Sequence, residues 1–65
     1  MKKNINLLET LGKIVYASLS LKPKHFDEIA KLTKLTMDYL MEQLLLLELR
    51  GFARQTMKNY YVVQD

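Results

Sequence analysis

The apolar residues of this chain change their period at Gly51. Before it they recur every three or four positions, as helices require. After it, "FARQT" and "YYVVQ" are rich in aromatic and β-branched types, as strands require. A chain of 65 residues with one such switch holds one domain: a few helices, then a hairpin. "MKN", residues 57–59, reads as the hairpin turn, with Asn59 able to take a positive φ.

Punctuation divides the helical part into three. Leu7, Leu8, Leu11, Ile14, Val15 and Leu19 share one broad arc, and Asn6 with Glu9 has the form of a capping box. The spacing predicts a first helix that begins near Asn6 and ends before Pro23, which disfavours helix at Lys22. Asp27 is the expected N-cap of a second, short helix, in which Ile29 and Leu32 share a buried face and the small Ala30 permits close approach. After a tight connection with Leu35 inward, Thr36 caps a third helix from Met37 to about Arg50, stopped by Gly51. Its predicted core stripe is Met37, Leu40, Leu44 and Leu47. A brief strand at His25–Phe26 is expected to pair with the hairpin. The result is a mainly α fold with a small β-hairpin: a winged helix-turn-helix of three helices plus a wing.

Leu44 to Leu47 are four leucines in a row, and they cannot all lie on one stripe. With the core stripe as reference, Leu45 and Leu49 point away from it and Leu46 is nearly opposite, near Tyr39 and Glu42. A 65-residue domain buries only about 60% of its unfolded surface, so such residues often wait for a partner. Leu45, Leu46, Leu49 and Tyr39 are the candidate protein interface, with a homodimer among its possible uses; the alternative for Leu45 and Leu49 is that the first helix or the hairpin wraps round and covers them. Leu46→Glu is expected to leave the fold intact.

The net charge of +3 is unevenly spread. Residues 1–26 carry Lys2, Lys3, Lys13, Lys22 and Lys24 against Glu9, a balance of +4. Residues 27–50 carry Lys31, Lys34 and Arg50 against Asp27, Glu28, Asp38, Glu42 and Glu48, a balance of −2. The second helix of a helix-turn-helix pair is the one that enters a major groove. Here its facing residues run through Thr36, Met37, Asp38, Tyr39, Met41, Glu42 and Gln43, with no Lys or Arg between Lys34 and Arg50. Since phosphate neutralisation supplies most DNA affinity, base reading by this helix is disfavoured. The candidate DNA contacts are Lys31, Lys34, Arg54, Lys58 and Asn59: weak, salt-dependent and indifferent to sequence. Their alternative role is to keep a small domain soluble.

The stretches "HFDEIAKLTKL", "LLLLELRGFARQ" and "NYYVVQ" resemble the C-terminal winged-helix domain of the DprA/Smf family, the bacterial DNA-processing proteins of natural transformation. The likeness covers roughly residues 12–63, and Leu47-Glu48-Leu49-Arg50-Gly51 is its most specific piece. This chain departs from the pattern at Lys34, where the turn glycine usually stands, and at Met57-Lys58-Asn59, in place of a Gly-rich wing tip. Proteins of that family carry a larger Rossmann-like domain that binds single-stranded DNA and helps load the RecA recombinase. Residues 1–65 hold no Gly-rich phosphate loop, so the resemblance implies a single winged-helix domain that is a C-terminal fragment of a larger protein.

Other classes find little support. With no cysteine, disulfides and thiolate metal sites are excluded, and a cytoplasmic location is the expectation. "MKKNINLL" does not read as a signal peptide, and no unbroken apolar run exceeds four residues, against the ~20 of a membrane span. The single histidine, His25, reads as a strand residue or a partner of Asp27. Ser18 and Ser20 have no base beside them. Of Tyr60 and Tyr61, strand alternation sends one inward, and the other is free to stack on a base. Met37, Met41 and Met57 form an adaptable surface unless Met37 is core. No cofactor and no enzymatic activity are expected. The partners implied are duplex DNA, the protein's own Rossmann-like domain or another protein. The rivals are a free-standing winged-helix transcriptional regulator and a pure protein-interaction module.

Overall fold

The computed structural model describes residues 8–64. Asn6, Leu7, Lys2 and Lys3 lie outside the described residues; Glu9 lies within them and, as an N-cap in extended backbone, is not the third helical residue that a capping box starting at Asn6 requires, so the first helix starts later than expected.

The first helix, α1, runs Thr10–Ser18, with Glu9 at its N-cap in extended backbone. It ends where Ser18 donates its hydroxyl back to the Val15 carbonyl at 2.6 Å and Leu19 turns extended. The strand β1, Lys24–His25, leads directly into α2, Phe26–Thr33. The strand thus begins one residue earlier than the expected His25–Phe26, and the N-cap of α2 is His25 rather than Asp27. His25 Nδ1 accepts the Asp27 N–H at 3.0 Å, satisfying a donor that has no partner inside the helix.

The connection to α3, Met37–Leu49, turns on Lys34, held in the left-handed region at φ 60°. Its N–H closes α2 by bonding to the Ala30 carbonyl at 2.8 Å. Thr36 occupies the N-cap of α3 without a side-chain capping bond. At the other end Gly51 has φ 79°, Gly51 N–H reaches the Glu48 carbonyl, and Phe52 N–H reaches the Leu47 carbonyl at 2.8 Å. That is a Schellman closure, and the buried Leu47 and Phe52 belong to the same core.

Two strands complete the fold, β2 (Ala53–Met57) and β3 (Tyr60–Val63). The sheet is antiparallel in the order β1-β3-β2, with Lys24 opposite Tyr61, His25 opposite Tyr60, and Gln55 also opposite Tyr61. Asn59 makes the turn at φ 68°, its N–H bonded to Gln55 Oε1 at 2.7 Å, and a bulge falls between Gln55 and Met57. Asn59 also accepts the Phe26 N–H at 2.7 Å, which pins the wing turn to the start of α2. The architecture is the winged helix-turn-helix: three helices and a small antiparallel wing.

Val15, Ile29, Leu40, Leu44 and Leu47 are fully buried and form the centre of the core, with Leu19, Phe26 and Phe52 around them. Tyr16 meets Phe52 edge-to-face, ring centroids 5.6 Å apart. Three expectations are corrected. Met37 is exposed, and its place in the α3 stripe is taken by Gln43. Leu32 points outward, leaving Ile29 as the core residue of α2 together with Phe26. Ile14 is more exposed than its arc suggested. Gln43 is buried because α1 presents Gly12 to it: a Cβ on Gly12 would lie 3.3 Å from Gln43 Oε1.

Candidate interaction surface

Exchanging Met37 for Gln43 rotates the core stripe of α3 by about 30° on the helical wheel. What lies opposite the core changes with it. Met37, Met41, Leu45 and Leu49 follow one another at intervals of four and are exposed at 60, 60, 56 and 74%. They form a second apolar stripe along the outer side of α3. Leu46 does not belong to it. It is half-buried over the start of α1, where Leu8, Glu9, Gly12 and Arg50 line a small cleft. Tyr39 is exposed but lies about 120° round the helix from Leu45, on the Leu46 side. The four candidate interface residues therefore divide into two pairs, and the expectation that Leu46 faces away from the core is corrected.

The second stripe borders an open trough between α3 and the sheet. One end, about 280 Å³, is walled by His25, Phe26, Asp27, Met37, Met41, Asn59 and Tyr61. The other, about 390 Å³, is walled by Met41, Glu42, Leu45, Glu48 and Tyr61. Tyr61 thus sits where the two ends meet. Burial pushes its phenol above the ordinary 10.0, and the Glu48 carboxylate adds to the shift, so it stays neutral. On the opposite face of β3, Tyr60 packs edge-to-face on His25, centroids 5.0 Å apart. Both tyrosines are half-buried, and neither is the fully outward ring expected for base stacking.

His25 and Asp27 form the one ion-pair contact among the described residues, Nδ1 to Oδ2 at 3.6 Å. Because the same Nδ1 accepts the Asp27 N–H, it carries no proton in this arrangement, and the contact is a cap rather than a charge pair.

Lys31, Lys34, Arg54, Lys58 and Asn59 are all exposed. The structure does not gather them into one cluster. Lys31 and Lys34 lie at the C-terminal end of α2, about 10 Å along the helix from Phe26, where the wing turn with Lys58 and Asn59 is pinned. Asp27 and Glu28 occupy that pinned end. Lys24, a further candidate for a basic rim, is spent locally, its ammonium donating to the Ser18 carbonyl. Gln43, expected on the groove-facing side of α3, is inside. Among the described residues, no His, Cys, Asp or Glu group is placed to hold a metal ion, and no helix is long and apolar enough to cross a membrane.

The features that sequence reasoning missed are Met37, Met41, Glu48 and Tyr61 as neighbours. Their signal was present in the four-residue spacing of Met37, Met41, Leu45 and Leu49, which puts all four on one side of a helix.

A family model described as the DprA winged helix domain matches residues 6–56, more than three quarters of the chain. No curated protein and no solved structure matches.

Proposed function

This chain belongs to the DprA winged-helix domain family, and from that premise we propose that it serves as an accessory, non-catalytic module of a larger DNA-processing protein of natural transformation. Its main work in this reading is protein docking through the outer side of α3. Duplex DNA contact is secondary and weak. One observation carries the reading: the helix that a DNA-binding relative would insert in a major groove bears a continuous exposed apolar stripe, flanked by Asp38 and Glu42, without one cation between Lys34 and Arg50. A phosphate-lined groove repels that surface, and a protein surface accommodates it.

The weaker DNA role rests on Lys31, Lys34, Arg54 and Lys58, exposed and without a carboxylate partner among the described residues. Four phosphate contacts give a slope of about −3.6 in log affinity against log salt, a loss of about two decades between 50 and 200 mM. The test is an amide-shift map with a duplex at both salts. Small shifts at Lys31, Lys34, Arg54, Lys58 and Asn59 that vanish with salt, and none at Asp38 or Glu42, support the proposal. Nanomolar binding to one defined sequence through α3 replaces it with a free-standing regulator.

A further inference from the structure

We propose that the trough between α3 and the sheet takes a basic peptide segment of a partner protein, seated by apolar anchors against Met37, Met41, Leu45 and Tyr61. This rests on the docking reading above and names the partner's chemistry. The trough is open along its length and walled by flexible thioethers, which adapt to differently shaped side chains. The walls hold three carboxylates, Asp27 at one end and Glu42 and Glu48 at the other, and one imidazole, His25, whose Nδ1 is turned to the Asp27 N–H. No Lys or Arg lines either end. A segment that fills the trough with apolar groups therefore meets three negative charges, and its own flanking charges are positive. The same charges argue against a symmetric pair of this face, since a two-fold axis through the stripe brings the carboxylates of Asp38, Glu42 and Glu48 on one copy towards those on the other. They argue against nucleic acid for the same reason.

The test maps methionine-methyl and amide shifts of the 65-residue chain with three short synthetic amphipathic peptides. One combines Lys with Leu, the second Glu with Leu, and the third keeps Lys with Ser in place of Leu. The expected result is binding of the Lys/Leu peptide alone, with shifts at Met37, Met41, Leu45 and Tyr61. Raising salt from ~50 to ~500 mM weakens it, and Glu42→Lys with Glu48→Lys weakens it by about tenfold or more. If that variant melts early, the salt series on the unaltered chain decides instead. The proposal is overturned if the Lys/Leu peptide moves none of these resonances, or moves them only on another face. It is overturned differently if the Glu/Leu peptide binds the same residues as tightly: docking on α3 then stands and the preference for cations falls. Shifts at these residues on dilution without any peptide identify a second copy as the occupant. Shifts there with duplex DNA overturn the docking reading as well.

Discussion

Lys34 shows how much one backbone angle can decide. It ends α2 in the left-handed conformation, at φ 60°, with its side chain exposed. A residue with a Cβ holds that conformation at a cost of about 1 kcal/mol that glycine avoids. Lys34→Gly is therefore expected to raise stability by about 0.5–1 kcal/mol, whereas Lys34→Ala, which removes the same charge but keeps the Cβ, leaves it nearly unchanged. Urea unfolding midpoints of the two variants check this, and equal midpoints would refute the strain argument. Tyr61 carries a different kind of residue-scale consequence. Its folded-state pKa is raised by burial and then by Glu48, so the folded state holds the phenolic proton at a pH where the unfolded chain has lost it. Its contribution is fully present below the unfolded value near 10.0 and is lost as pH rises through the higher folded one. Alkaline absorbance titration is expected to show a late-ionising tyrosine that disappears in Tyr61→Phe. In that variant stability should fall less steeply above pH 10.

At the scale of elements, α3 ties the fold together because it meets α1 on one side and the sheet on the other. Its approach to α1 depends on Gly12 lying against Gln43. Gly12→Ala places a Cβ 3.3 Å from the flexible end of Gln43 and 3.5 Å from Leu8 Cβ, and it gains about 0.8–1 kcal/mol of helix propensity. The two effects nearly cancel, so little change is expected. Gly12→Leu has no space to enter and is expected to cost about 1–3 kcal/mol by overpacking, measured by thermal or urea unfolding. A stable leucine variant would mean that the helices are less closely apposed than described. This contact also shows where the sequence stopped being informative. Element order, the hairpin turn at Asn59 and the glycine stop at Gly51 were legible because each depends on local chemistry: period, φ preference, capping. The rotation of α3 about its axis was not, because it depends on which neighbour supplies room. A glutamine at a stripe position reads as surface until a glycine on another helix receives it. That one exchange misassigned Met37 to the core and Leu46 to the outside, and it hid the trough, whose walls come from elements far apart in sequence. His25 displaced Asp27 as the cap for a similar reason: β1 had to pair with Tyr60 and Tyr61 before His25 could fall at the helix start.

For the molecule as a whole, the question is how one helix can serve the core and still offer an apolar side to something else. A domain of this size covers only about three-fifths of its unfolded surface, and two short helices with a three-stranded wing do not reach round α3. The outer stripe therefore makes almost no contribution to folding, while Leu46, packed over Leu8 and Gly12, does contribute. Opposite effects of the same substitution follow. Leu45→Glu exchanges one exposed side chain for another, sets a carboxylate three residues from Glu42 and from Glu48, and is expected to unfold within about 1 kcal/mol of the parent. Leu46→Glu removes apolar packing and sets a carboxylate beside Glu9 in the cleft at the start of α1, with a loss of about 1–3 kcal/mol. Arg50, four residues further on, can return only about 0.3–0.5 kcal/mol of that. The expectation from sequence that Leu46→Glu is silent is thus reversed, and Leu45 becomes the position at which docking can be probed without damage to the fold. Urea midpoints that coincide for the two variants would show that the sides of α3 are not divided this way, and the outer stripe would lose its claim to be a surface held in reserve.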